Sequence, residues 1–223
     1  MNEKKIVIWF LRHGRTHGNE EKRYVGSTDE PLSSGGRSDL ERAKSEGGYP
    51  AKIDVLLSGP SKRCRETAAL LFPEKMAEMH LIPEWTETDF GEFEYRTFEE
   101  LDGNPAYQAW LDSGGTIGFP GGENREEFIR RCLRGWEKAK KILEECLAEK
   151  SGGPVLAAAF MSGGNIMAIL SSLCGGDFYD YPCENGGGYI CCFSPGEDSV
   201  PEEGRADSGV CILSRKHPQT GCR

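Results

Sequence analysis

The sequence predicts an α/β protein, a three-layer α/β/α sandwich around a mainly parallel central sheet. Three observations carry this. Short uninterrupted apolar runs recur at residues 6–11, 55–57 and 155–160, and such runs suit strands covered on both faces. Stretches with apolar residues at helical spacing separate them. Turns rich in polar residues and glycine follow the runs directly, and ligands of open α/β sheets bind at the carboxyl ends of strands.

The elements follow in order. Residues 6–11 (IVIWFL) read as a buried strand that runs into Arg12-His13-Gly14-Arg15. Residues 19–32 form a polar loop broken by Gly26 and Pro31. Ser33 is a plausible N-cap for a helix ending near Glu46, before Gly47-Gly48. Residues 55–57 are a second strand, and 61–72 a helix with Cys64, Ala68 and Leu71 on one face. The mixed, acidic stretch 80–125 is a candidate lid region, with a helix followed by a Gly-rich loop across 104–120. Residues 123–149 are the longest helical pattern, with Phe128, Cys132, Trp136, Ala139, Leu143 and Leu147 in register. A third strand at 155–160 leads through Ser162-Gly163-Gly164 into a helix over 165–173. Residues 189–193 and 210–213 are further strand candidates, with a mobile polar loop expected at 195–208 and a disordered last ten residues. No internal repeat or linker is visible, so residues 1–223 are expected to form one domain.

Composition narrows the function. A net charge of −9 disfavours nucleic acid as a partner, while a local arginine cluster can still hold a small anion. No apolar run approaches the roughly 20 residues of a membrane helix, and residues 1–5 lack the layout of a signal peptide. A cytoplasmic protein is expected, with no membrane partner. The nine cysteines are odd in number and scattered, with Cys191-Cys192 vicinal and no Cys-x-x-Cys pair. They read as free thiols, with no metal site and no cofactor. Trp85, Trp110 and Trp136 read as packing residues, and the sequence gives no oligomeric state.

Neighbouring parallel strands would bring three turns to one edge: residues 12–19, residues 58–67 with Arg63 and Arg65, and residues 162–165. The first is Leu11-Arg12-His13-Gly14-x-Thr16-x-x-Asn19, continuing as Gly26-x-x-Asp29-x-Pro31-Leu32-Ser33-x-x-Gly36. Then come Ser58-x-x-x-Lys62-Arg63-x-x-x-Thr67-Ala68, Glu87-x-Asp89-Phe90-Gly91 and Pro120-Gly121-Gly122-Glu123. This ordered series resembles the histidine phosphatase superfamily, also called phosphoglycerate-mutase-like, over about residues 5–193. The loop Arg23-Tyr24-Val25-Gly26-Ser27-Thr28-Asp29 looks most like the bacterial α-ribazole phosphatase group, although Tyr95 stands where glycine is common.

The resemblance implies a phosphohistidine at His13, and a neutral imidazole is a competent nucleophile toward phosphorus. Arg12 and Arg63 would supply bidentate donors to the phosphoryl oxygens. Gly14, Thr16, Asn19, Val25, Gly26 and Gly163 would complete the cradle. Glu87 stands at the position of the family's proton donor. Arg15 and Arg65 read equally as substrate-side charges or solvated residues. The ligand would be a small phosphorylated metabolite.

One departure matters. The family's third turn reads His-Gly-Gly, and here it reads Ser162-Gly163-Gly164. Losing one preorganised donor of this kind typically costs roughly 10²–10³ in rate. Neither His17, His80 nor His217 is placed to substitute. A slow phosphatase, a degenerate phosphate-binding protein, and a substitution within an otherwise active lineage are all consistent with Ser162. A phosphoglycerate mutase is the third-ranked activity.

Overall fold

The computed structural model describes residues 5–195 and 211–216. In chain order the elements are β1 (Ile6–Arg12), α1 (His17–Glu20), α2 (Ser34–Ser45), β2 (Val55–Ser58), α3 (Lys62–Leu71) and β3 (His80–Leu81). They continue with α4 (Phe98–Leu101), α5 (Pro105–Asp112), α6 (Arg125–Glu149), β4 (Val155–Met161), α7 (Gly163–Cys174), β5 (Gly188–Phe193) and β6 (Cys211–Lys216). The sheet order is β3-β2-β4-β1-β5-β6. β1 to β4 pair in parallel, and β5 and β6 close one side as antiparallel strands.

Strand alternation sorts side chains between two helical layers. Ile6, Ile8 and Phe10 of β1, Val55 and Leu57 of β2, and Val155, Ala157, Ala159 and Met161 of β4 enter one core cluster. The stripe Phe128, Cys132, Trp136, Ala139, Leu143 and Leu147 of α6 joins them, with Ile166, Ile169, Leu170 and Leu173 of α7. The residues between, Leu11, Leu56, Ala158 and Phe160, pack on the opposite face against Leu40 of α2 and Cys64, Ala68 and Leu71 of α3. This is the expected three-layer sandwich. Ala157 and Ala159 of the central strand share that face with Trp136, which packs on Phe10 with ring centroids 5.6 Å apart.

Helix starts follow local chemistry. The Ser33 side chain accepts the Gly36 N–H at the head of α2. Asn124 and Glu127 form a reciprocal capping box on α6. α6 lies against Trp85 at Gly135, where a Cβ would sit 2.6 Å from the indole Nε1. That nitrogen donates to Cys132 O at 3.3 Å.

Some expectations shift. Part of the candidate lid, His80–Leu81, belongs to the sheet as β3, and Trp85 is fully buried in the core. The rest of 80–125 includes α4, α5 and an aromatic cluster of Phe93 and Tyr107 with Tyr24, Phe90, Trp110 and Phe119. Residues 214–216, expected in a disordered tail, are strand instead, because β6 pairs with β5 and satisfies their backbone groups. Of the loop expected at 195–208, residues 196–208 lie outside the described residues, as does everything from residue 217, including His217.

Candidate active site

The central strand order β2-β4-β1 places the three polar turns side by side. Leu11 pairs with Phe160 and Arg12 with Met161. One residue further, His13 N–H donates to Met161 O at 3.0 Å, so His13 and Ser162 follow next to each other.

His13 is 3% exposed. Its Nδ1 lies 2.7 Å from Gly14 O. A carbonyl can only accept, so Nδ1 carries the proton and Nε2 keeps its lone pair. Burial pushes the imidazole well below its ordinary pKa, the cations Arg63 and Arg12 push the same way, and the Gly14 carbonyl opposes them. The ring is therefore neutral at physiological pH, which is the form a nucleophile needs. The Gly14 N–H donates to Thr67 Oγ1 at 3.0 Å, and that hydroxyl donates to Arg63 O at 2.7 Å. Thr67 thus ties the His13 turn to α3.

Arg12 donates through Nη1 to Cys183 O at 2.9 Å, while its buried Nε has no partner. Arg63 is 1% exposed. Its terminal nitrogens bind carbonyls of the 25–28 loop: Nη1 to Thr28 O at 2.8 Å, and Nη2 to Gly26 O at 3.1 Å and Val25 O at 3.4 Å. Its Nε is also buried without a partner, as is Ser162 Oγ. Buried polar atoms are nearly always hydrogen-bonded, so three orphaned groups flanking one neutral imidazole mark a candidate anion site. Glu87 sits opposite: its carboxylate accepts Thr88 N–H at 2.9 Å and Gly164 N–H at 3.4 Å.

The sequence matches the family described as Histidine phosphatase superfamily (branch 1) over residues 8–200. This chain belongs to the histidine phosphatase superfamily. Among its relatives, the adenosylcobalamin/alpha-ribazole phosphatase of Salmonella typhimurium is 30% identical over 129 residues, which are 57% of this chain and 63% of that protein. The match therefore spans less than two thirds of that relative. A probable phosphoglycerate mutase GpmB of Enterobacter is 27% identical over 175 residues, covering 75% of this chain and 76% of the relative. In fold the chain is similar to a putative alpha-ribazole-5'-P phosphatase from Escherichia coli (TM-score 0.77, 18% identity, 98% and 99% of the two chains). It is also similar to a phosphoglycerate mutase from Thermus thermophilus (TM-score 0.62, 27% identity, 95% and 98%).

Set against the histidine phosphatase pattern, the cradle residues divide. Asn19 Oδ1 accepts Thr16 N–H at 3.2 Å and Asn185 Nδ2 at 3.0 Å, which leaves its own amide NH₂ to donate. Gly163 seats the Arg12 guanidinium, with a Cβ position 3.5 Å from Cζ. Three expected anion contacts have other partners. Gly14 N–H is taken by Thr67, Thr16 is the buried N-cap of α1, and Val25 contributes a carbonyl to Arg63. Gly26 N–H is likewise taken, by the Glu94 carboxylate at 3.0 Å, although Gly26 borders a cavity of about 730 Å³. The Arg63 fork is spent on loop carbonyls, so Arg63 offers an anion Nε rather than a bidentate face. Arg15 pairs with Asp39 at 2.6 Å and faces a separate cleft with Arg12 and Arg42. His17 is exposed and pairs with Glu21, and His80 is exposed on β3, so neither stands in for the missing histidine.

Arg63 and Glu87 border the 730 Å³ cavity, Arg12 borders the separate cleft, and the buried His13 is in the wall of neither. A smaller cavity of about 220 Å³ shares Glu87 and is walled by Tyr24, Phe90, Trp110, Phe119 and Phe128. Sequence reasoning missed Asn185, which ties His13 O to Asn19. It also missed Glu94 and Arg131. Tyr95 explains why glycine is common at its position: its φ is +59°, a region that costs a side-chain-bearing residue free energy. Its hydroxyl donates to Glu30 at 3.2 Å, and Arg23 lies 5.1 Å over its ring. Among the described residues, no cluster could hold a metal ion and no helix is long and apolar enough to cross a membrane.

Proposed function

We propose that this chain hydrolyses a small phosphomonoester through a phosphohistidine on His13. The observation that carries this is the tautomer: a buried, neutral His13 whose Nδ1–H is held by Gly14 O, leaving Nε2 free between two arginines with orphaned Nε donors. Nε2 attacks phosphorus, the phosphorus–oxygen bond to the alcohol breaks, and protonated Glu87 gives its proton to the departing oxygen. Water then attacks the phosphohistidine, Glu87 takes a proton back, and inorganic phosphate leaves with the imidazole restored. Arg12, Arg63 and Asn19 stabilise charge on the equatorial oxygens.

The substrate we favour is α-ribazole 5'-phosphate. The 23–29 loop and the relatives' names support it, and the aromatic cavity beside Glu87 suits a flat leaving group. Phosphate release from p-nitrophenyl phosphate, lost in His13→Ala, is the expected result. A clean, folded protein with no turnover between pH 5 and 8 would refute the reading. The partnerless Ser162 hydroxyl favours one alternative, a phosphate-ligand protein that binds without turnover.

A further inference from the structure

Residues 84–89 carry Glu87 but pair with no strand, and their only regular structure is one 3₁₀ turn, Pro83–Trp85. The carbonyls of such a segment need partners from elsewhere. One side chain supplies three of them. Arg131 of α6 donates through Nη1 to Glu84 O at 2.6 Å, Thr86 O at 3.0 Å and Thr86 Oγ1 at 2.6 Å. Through Nη2 it donates to Glu87 O at 3.2 Å. Asn165 Nδ2 adds a bond to Thr86 O at 2.9 Å.

Arg131 is itself fixed. Its Nε and Nη2 donate to the two oxygens of Glu123 at 3.0 and 2.7 Å, a bidentate pair. Glu123 N–H donates to Asp89 O at 2.9 Å, so the carboxylate partner is anchored to the far end of the same segment. The guanidinium lies 5.2 Å over the Phe128 ring. Both partners are mostly shielded, at 19% and 16% exposure, so water competes weakly for the pair. The Glu87 carboxylate, by contrast, has only the Thr88 amide and a long contact to Gly164. Its position is set by its backbone, and its backbone is set by Arg131.

We infer that Arg131, locked by Glu123, is a positioning residue for Glu87: it holds the proton donor's backbone at the distance the leaving oxygen requires. This rests on the phosphomonoesterase reading. Arg131 also borders the 730 Å³ cavity, so direct binding of substrate is the rival role.

The leaving group separates the two. p-Nitrophenolate departs without a proton, whereas an alkyl alcohol such as that of glycerol 2-phosphate needs one. Arg131→Lys keeps the charge but loses the planar fork. With general acid catalysis contributing about 10²–10⁴-fold, kcat/KM on glycerol 2-phosphate, which reports the phosphorylation half-reaction and not the hydrolysis that Glu87 also serves, should fall about tenfold or more in this variant. On p-nitrophenyl phosphate kcat/KM should fall less than about threefold. Adding Arg131→Lys to Glu87→Gln should cost little more on the alkyl ester. Hydrogen exchange of amides 84–89 should quicken. Equal losses of kcat/KM on both esters, or unaltered exchange, would each overturn the inference. If the unsubstituted protein turns over neither ester, the phosphatase reading fails by itself, and the exchange result still decides whether Arg131 holds the segment.

Discussion

At the scale of single residues, His13 couples the proposed chemistry to stability. Its native pKa lies well below the ordinary value, chiefly through burial and then through Arg63 and Arg12. Below about pH 6.5 the unfolded chain binds a proton there that the native state refuses. The stability linked to His13 is therefore fully present above that pH and is lost progressively as pH falls toward the native value. Thermal unfolding should show a steeper fall in Tm between pH 7 and 5 for the unsubstituted protein than for His13→Gln; parallel slopes would refute the linkage. Ser162 is the second decisive residue. Its hydroxyl is buried beside His13 without a partner, so Ser162→His should restore a donor and raise kcat by about 10²–10³-fold. A folded variant with no gain would favour the binding-only alternative.

At the scale of elements, the glycine of α6 sets how close that helix lies to the Glu87 segment. A Cβ at Gly135 would sit 2.6 Å from the Trp85 indole and 3.0 Å from Glu84 Cβ. Gly135→Ala should therefore cost about 1–3 kcal/mol through overpacking, read as a lower urea midpoint with an unchanged m-value. A neutral or stabilising result would mean that α6 can retreat freely. The same element shows what the sequence could and could not reveal. α6 was legible because seven buried positions recur on one face, and β1, β2 and β4 because their apolar runs are continuous. β3 was not, because it has two exposed residues and exists only through pairing with β2. The Arg131 clamp was equally hidden. Three of its acceptors are backbone carbonyls some 44–47 positions away in sequence, and carbonyls leave no trace in residue identity. The motifs singled out His13, Arg12, Arg63 and Glu87 as candidates. They could not tell that the Arg63 fork is spent on loop carbonyls or that Gly14 N–H is spent on Thr67, because those depend on how two turns meet.

At the scale of the whole molecule, a chain of net charge −9 holds its candidate anion site where two arginines and a strand end converge, so a phosphate must be bound against the global field by local donors. Ligand binding to the native state alone should raise stability by about 2.7 kcal/mol at a hundred times Kd. Orthovanadate or inorganic phosphate should accordingly raise the Tm by several degrees, and more at low ionic strength than the same anion does for Arg63→Ala. An equal shift in both proteins would place the anion elsewhere.

Trp85 and Trp136 are fully buried and Trp9 packs on the core of the opposite helical layer, whereas the half-buried Trp110 borders the 220 Å³ cavity, stacked on Tyr107 with ring centroids 5.9 Å apart and facing Phe119 at 5.0 Å. The protein thus carries its own optical gauge of the leaving-group side. An aromatic alcohol entering there should quench or shift indole emission, inorganic phosphate should leave it nearly constant, and Trp110→Phe should silence the signal, so occupancy of the two halves of the site can be read separately without a label.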